Sequence, residues 1–351
     1  MEALREGALK SIEEVFGDRL KRRPSGSAES ASDGALASVF PTSAEEVALL
    51  SRTAERFSVP LAALGAETHP ETPPKEGRIL VRFDLMRGLR LPDSDEPWAE
   101  AEPGALWLEL DNDLRIRGRG LTVYPTSAPR ATVGGWLAQD GIGVGSFEYG
   151  WLSENVISAD VVLPGGEGRT VGGDELSSVV GPESGGGIVV GARLRTRRAE
   201  DDVPCAFAIG GPEELAEAVV SVFHESVPLW HLAFLSSEMA RIRGHGEGYL
   251  LFGAYPGERD ALVGEALREV ASSTGGRLLA PADAYRVWGE RFFPIAPSRP
   301  TPILSDRAFV PLAGVANFVK SRPQRAVQGT VARSQEVLLL AFDPGEGSPR
   351  T

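Results

Sequence analysis

The chain has 351 residues, 42% hydrophobic and 24% charged, a globular composition with room for two domains. Its 49 acidic and 36 basic side chains leave a formal charge of −13, which argues against a nucleic-acid partner because phosphate backbones select basic stripes. No run of about 18 apolar residues spans a bilayer, no apolar signal-peptide core opens the chain, and one cysteine with four histidines gives neither an internal disulfide nor a metal spacing, so a cytoplasmic, metal-free protein is expected.

Residues 2–16 set Leu4, Ala8, Ile12, Val15 and Phe16 at helical spacing, and Gly17-Asp18 stops the pattern. Residues 22–34 are rich in Ser, Gly and Ala and read as a loop. After Phe40-Pro41, a Thr42 or Ser43 cap with Glu45 and Glu46 in the first turn starts an amphipathic helix reaching about Phe57. A strand is expected at 59–64, a polar Pro-bearing loop at 65–77, and strands at 79–85 and 98–102. A helix at 105–117, a strand at 121–124 and β-rich runs at 156–163 and 187–197 follow. The charged, unpatterned connector at 194–203 marks a boundary, giving an N-terminal helix and loop at 1–34 and domains at 35–200 and 201–351. The second domain reads strand 204–209, helix 212–224, strands 229–235 and 248–254, helix 258–274, the order of a ferredoxin-like α+β unit. A helical stretch through Trp288, a Pro-rich loop at 294–302, closing strands near Val327 and at 337–342 and a fraying tail complete the chain.

The densest signal lies between Tyr124 and Gly150, with glycines at 134, 135, 141, 143 and 145. Backbone without Cβ atoms can come close to a ligand and aim successive amides at a pyrophosphate; the same glycines also suit tight bends of a β-rich region.

Taken in order, Phe40-Pro41-Thr42-Ser43-Ala44-Glu45-Glu46-Val47, Glu102-Pro103-Gly104, Thr132-Val133-Gly134-Gly135, Tyr149-Gly150 and Gly187-Ile188-Val189 resemble the PCMH-type FAD-binding domain of the vanillyl-alcohol-oxidase superfamily. The resemblance covers residues 37–197. It implies an α+β fold, a two-lobed FAD-binding domain followed by a ferredoxin-like substrate domain, with the diphosphate of FAD under Gly-rich loops and its ring system facing the substrate domain. It makes Gly65, Thr68, Ser127, Thr132, Gly134, Gly135, Gly141, Gly145, Ser146, Tyr149 and Ile188 candidate flavin contacts, mainly through backbone. The family's first Gly loop usually reads Gly-Gly-Gly-Thr-Ser; here it reads Gly65-Ala66-Glu67-Thr68-His69, and a carboxylate beside a pyrophosphate is repelled unless it turns away. His69 is either a solvent-facing loop residue or a counterpart of the histidyl-flavin link of some relatives.

The second half resembles the substrate domain of FAD-linked 2-hydroxy-acid oxidases and, in length and layout, the short FAD-binding subunit of bacterial glycolate oxidase. Trp288-Gly289-Glu290-Arg291 is similar to their Trp-x-x-Arg, and Ser305-Asp306 through Pro311 to their Asp-x-x-x-Pro. Arg291 then holds a substrate carboxylate, for which a guanidinium fork is suited, or else pairs with Glu290 or another acid on the surface. Where the family carries a two-histidine metal and base segment, this chain reads Gln328-Gly329-Thr330-Val331-Ala332-Arg333-Ser334-Gln335. His231, beside Trp230 on an expected strand, is a substitute base or a core histidine. Two functions are carried forward. One is an FAD-dependent oxidoreductase or subunit that oxidises a small hydroxy acid and passes electrons to an iron–sulfur or other electron-transfer subunit. The other is a non-catalytic relative with an assembly or regulatory role.

Overall fold

Phe40-Pro41-Thr42-Ser43-Ala44-Glu45-Glu46 is a helix start, and the first lobe is organised around it. The computed structural model describes residues 2–22, 34–68, 76–92, 95–181, 187–199, 201–292 and 303–343; His69, the Pro-rich loop, the tail beyond Asp343 and most of the loop expected at 22–34 lie outside them. The chain forms two compact units that alternate along the sequence. The first comprises Met1–Leu114, Ala128–Gly141 and Asn155–Thr196, and the second Arg115–Ser127, Ile142–Glu154 and Arg197–Thr351. Among the described residues no helix is long and apolar enough to cross a membrane.

In the first unit, α1 (Glu2–Phe16) buries Ala8, Leu9, Ile12 and Phe16. Leu4 and Val15 stay about half exposed, at 49% and 47%, because the buried stripe is centred between Ala8 and Leu9 and leaves them at its margins. Strands β1 (Leu20–Arg22), β2 (Ala37–Val39), β3 (Leu61–Leu64) and β4 (Ile79–Arg82) form a sheet of order β1-β2-β4-β3, with β2 and β3 both parallel to β4. Between β2 and β3 runs α2 (Ala44–Arg56), and the two helices share one core with the sheet through Ile12, Phe16, Val39, Val47, Leu50, Ile79 and Val81. A reciprocal cap starts α2: Ser43 Oγ accepts the Glu46 amide, and the Glu46 carboxylate accepts the Thr42 amide at 2.7 Å. Arg19 closes the cap with a fork to both Glu46 oxygens at 2.5 and 2.6 Å. Five strands of a second sheet, β5 (Leu89–Arg90), β6 (Trp98–Ala101), β7 (Val156–Val162), β8 (Gly168–Gly172) and β9 (Ile188–Arg198), pair antiparallel in the order β5-β6-β9-β7-β8.

The second unit is built on a seven-stranded antiparallel sheet. Its strands are β10 (Asp202–Ile209), β11 (His231–Leu235), β12 (Tyr249–Pro256), β13 (Arg277–Leu278), β14 (Ile303–Pro311), β15 (Ala326–Val331) and β16 (Glu336–Asp343), in the order β13-β10-β12-β11-β15-β16-β14. The first four, with α5 and α7 below, have the strand order four-one-three-two of the expected ferredoxin-like unit, and β15, β16 and β14 widen it. On one face α5 (Pro212–His224), α7 (Asp260–Thr274) and α9 (Val315–Lys320) press Leu215, Val222, Val263, Leu267 and Phe318 onto Phe207, Phe234, Leu251 and Leu339. On the other, α6 (Ser237–Ile242) and α8 (Pro281–Trp288) place Met239, Ala284 and Val287 against Ala233, Leu235, Phe252 and Leu340. Two-residue alternation therefore puts His231 with Ala233 and Leu235, and Gln328 with Ala326, on this second face. Helices α3 (Trp107–Arg115) and α4 (Val133–Leu137) belong mainly to the first unit. Strand β14 was not expected: Asp306 and Arg307 interrupt its apolar alternation, and ladder pairing with β16 from Leu304↔Phe342 to Pro311↔Glu336 supplies what the pattern lacks.

The Arg19 hydrogen bonds hold the Glu46 carboxyl down, from 4.5 to about 2. A depressed folded-state pKa contributes stability that is complete above pH 4.5 and disappears as pH falls through about 2. Glu46→Gln is expected to lower the melting temperature at pH 7 by roughly 2–4 °C, the worth of about 1 kcal/mol from a half-exposed cap and pair. Melts of both proteins between pH 7 and pH 2 should show the difference closing from about pH 4.5 downward; a gap independent of pH would refute the assignment.

Candidate functional site

In the first unit, Gly65 follows β3 and lies against the start of α4. A Cβ on Gly65 would stand 2.5 Å from Thr132 Oγ1 and 3.1 Å from Gly135 Cα; one on Gly134 would stand 2.8 Å from the Pro103 side chain. These glycines let two stretches of backbone touch. The amides at the head of α4 are also engaged within the protein. Val133 N–H donates to Ala105 O and Gly134 N–H to Pro103 O, each at 2.9 Å, while Gly135 N–H donates to the capping Thr132 hydroxyl at 3.3 Å. In this structure these amides are engaged within the protein, and a backbone donor already bonded has no second hydrogen to give. Ile188, another predicted contact, packs in the core beside Val162 and Val190.

The rest of the Gly-rich stretch behaves the same way. Gly141 N–H donates to Asp140 Oδ1 at 2.7 Å. In the second unit Gly143 N–H donates to the Oγ of a fully buried Ser146 at 2.9 Å. Gly145 has φ +90°, and a Cβ there would stand 2.0 Å from Thr122 O and 2.6 Å from Trp230 Nε1. The indole N–H donates to that same carbonyl at 3.0 Å. Gly145 N–H meets His231 Nδ1 at 3.4 Å. Ser127 is buried, and Tyr149 is half-buried, its phenol pKa raised by burial and then by Glu148.

His231 has no exposed surface. Burial, and then the Arg291 charge, bring its pKa down to about 3, so it is neutral near pH 7. With Nδ1 accepting the Gly145 amide, the proton resides on Nε2, which has no partner among the described residues. That tautomer presents a donor; a base at Nε2 requires the other one. Arg291, at the end of α8, lies over the Trp288 ring at 4.4 Å and the Phe292 ring at 4.2 Å. Its Nε–H donates to the Tyr124 hydroxyl at 3.3 Å and its Nη1 to Trp288 O at 3.0 Å. The surface pairing with Glu290 does not form. Glu290 pairs instead with Arg243 at 2.8 Å and His245 at 3.3 Å, and among the described residues no carboxylate pairs with Arg291. Gln328, whose Nε2 donates to the Arg291 carbonyl at 3.1 Å, was quoted only as a place where the family has histidines; its departure from the motif was the available signal. Tyr124 was not singled out, since nothing in the sequence marks its hydroxyl as a partner for Arg291. Asp306 pairs with Arg322 at 2.6 Å on β14.

Residues 35–172 match the FAD binding domain family. That stretch is similar to an FAD-binding domain. The chain is 29% identical over 171 residues to the mitochondrial D-lactate dehydrogenase [cytochrome] of Arabidopsis thaliana, covering 46% of this chain and 30% of that protein. It is 25% identical over 145 residues to the glycolate oxidase subunit GlcD of Bacillus subtilis, covering 41% and 31%. The chain thus matches about a third of the length of these curated relatives. A solved alkyldihydroxyacetonephosphate synthase shares the fold with a TM-score of 0.77 at 17% identity, over 97% of this chain and 78% of that one.

FAD is the cofactor of such a domain, and the first Gly loop fits its diphosphate. The amides of Ala66 and Thr68 have no acceptor among the described residues. Glu67, at φ +50°, sets its carboxylate 3.9 Å from Arg82 Nη1, so the repulsion raised by its charge is offset by a neighbouring cation. Backbone donors without an acceptor among the described residues thus occur at Ala66 and Thr68, ahead of the stretch where glycines are densest.

Gly145 serves packing, so Gly145→Ala is expected to destabilise the second unit by about 3 kcal/mol or more, through the strained φ and the overlap with Thr122 O. Denaturant unfolding with and without saturating FAD should show the same loss. A loss confined to the FAD-loaded protein would return Gly145 to the cofactor.

Proposed function

We propose that this chain is an FAD-dependent oxidoreductase, or one subunit of it, that oxidises a small 2-hydroxy acid such as glycolate or D-lactate and passes the electrons to an electron-transfer partner, an iron–sulfur subunit or another. Residues 35–200 serve the cofactor and residues 201–351 the substrate. The observation that carries this reading is Arg291: a half-buried guanidinium, lying against two aromatic rings, held by neutral acceptors and without a carboxylate among the described residues. An anionic ligand supplies the missing partner, and a carboxylate matches the fork. The names of the relatives, lactate dehydrogenases and a glycolate oxidase subunit, support the same substrate class.

Bound FAD supplies the two-electron acceptor for such a reaction. The chain's own contributions are separable. The amides of Ala66 and Thr68, with the Thr68 hydroxyl, hold the diphosphate while Arg82 keeps Glu67 turned aside. Arg291 fixes the acid by its carboxylate, and Tyr124 and the Trp288 carbonyl keep the guanidinium in one orientation. His231, with its proton on Nε2, does not take the substrate proton there.

The purified protein is expected to carry FAD and to lose its flavin absorbance when titrated anaerobically with glycolate, D-lactate or a simple aldonate. A protein that cannot be loaded with FAD overturns the proposal in favour of an assembly or regulatory subunit. Arg291→Ala should raise the KM for the acid roughly 10- to 100-fold, the worth of a charge-assisted pair, with FAD content unchanged. Unaltered kinetics in that variant would return Arg291 to the surface.

A further inference from the structure

The guanidinium of Arg291 does not stand alone. Its charge acts on the imidazole of His231, and the two side chains flank one ring: Arg291 lies 4.4 Å from the Trp288 centroid, and the His231 ring 5.5 Å from it. Two of the Arg291 donors are engaged, Nε with Tyr124 and one Nη1 hydrogen with Trp288 O, which leaves the Nη2 pair and the second Nη1 hydrogen, an edge suited to both oxygens of a carboxylate. On the imidazole, Nδ1 is held by Gly145 N–H at 3.4 Å and Nε2 is buried without a partner among the described residues. A buried donor left unsatisfied costs stability and marks a place where a ligand or ordered water completes the set. Two sets of donors therefore lie against one indole ring, one charged and bidentate, the other neutral and single. A 2-hydroxy acid has the complementary pair of acceptors, an anionic carboxylate and, one carbon away, a neutral oxygen.

We propose that His231 is the residue that recognises the C2 oxygen of the acid, its Nε2–H donating to that oxygen while Arg291 holds the carboxylate. The assignment rests on the reading of Arg291 as the carboxylate anchor and adds what separates a 2-hydroxy acid from a plain carboxylic acid. An acceptor is all the imidazole requires, so the hydroxyl of the substrate and the carbonyl of its oxidised product both satisfy it, and the product binds as a competitor. Gln328 acts at one remove: its amide N–H holds the Arg291 carbonyl and so positions the anchor.

The test uses 2-hydroxyisobutyrate, which has no hydrogen on C2 and cannot be oxidised to a 2-oxo acid, against isobutyrate, which lacks the hydroxyl. Calorimetry on the FAD-loaded wild type is expected to show 2-hydroxyisobutyrate binding about 10-fold tighter, the worth of one neutral hydrogen bond. His231→Phe should erase that ratio and leave isobutyrate binding within about two-fold of wild type, since only one neutral bond is removed. A ratio that survives in the variant, or equal binding of the two acids to wild type, overturns the proposal. Should His231→Phe fail to fold, nitrogen-15 NMR of histidine-labelled wild type decides. The proton is expected on Nε2 near neutral pH, its resonance moving with 2-hydroxyisobutyrate and staying fixed with isobutyrate; a proton on Nδ1, or no movement, refutes it. The two readings fail separately: protein that binds the hydroxy acid selectively yet is never reduced by glycolate or D-lactate loses the oxidation and keeps His231. Protein that is reduced, with a ratio indifferent to position 231, loses His231 and keeps the oxidation.

Discussion

One backbone amide, that of Gly145, fixes most of what the second unit can do. It reaches His231 Nδ1 only because position 145 has no Cβ and takes φ +90°, which brings the chain within contact of Thr122 O and the Trp230 indole. Three consequences follow from that approach. The imidazole is committed to one tautomer, Trp230 is tied to the 115–127 segment through Thr122 O, and the Trp230 ring lies against Arg197, whose guanidinium is 3.7 Å from the ring centroid. Arg197 in turn pairs with Asp202 at 2.9 Å in nearly complete burial, with Arg115 on the same carboxylate at 2.8 Å. A buried pair of this kind adds little net stability, but removing one member strands the other charge, so it fixes the connections more than it strengthens them.

The glycines illustrate why density alone does not identify a ligand. Amide accounting separates the two uses: a Gly whose N–H already donates to a carbonyl or hydroxyl of the protein is there for closeness, and one whose amide has no acceptor is available. By that measure positions 134, 135, 143 and 145 serve the fold, and the available donors lie at Ala66 and Thr68, which are not glycines at all. The carboxylate of Glu67 was a fair objection to that loop on sequence grounds, and Arg82 answers it from a neighbouring strand.

Periodicity carried the parts of the fold that depend on burial of one face. The βαββαβ order of the second unit was legible because helices of 13 and 15 residues and strands of five and eight repeat their apolar spacing long enough to be read. The return of residues 115–127 and 142–154 to the second unit was not legible, since short segments rich in Gly, Pro and Ser carry no period. Nor were the helices at Val133–Leu137 and Ser146–Tyr149, where glycine lowers helix propensity and position within the fold supplies the order. At the site, residue types were readable and states were not: the Trp-x-x-Arg pattern indicated Arg291, but the tautomer of His231 depends on a contact 86 positions away in sequence.

The remaining question is how a chain with 49 acidic residues keeps one guanidinium clear of them. Its immediate neighbour Glu290 is the obvious partner, and the turn after α8 points it the other way, to Arg243 and His245. Arg291 is then left with neutral company: two aromatic faces, a phenol and a carbonyl. Such groups solvate a planar, weakly hydrated cation well enough to keep it half-buried without neutralising it, whereas a lysine ammonium at the same place would lose more hydration and gain no stacking. Pairing Glu290 elsewhere thus does two things with one carboxylate, since it anchors the turn that carries Arg291 and leaves the charge of Arg291 for a ligand.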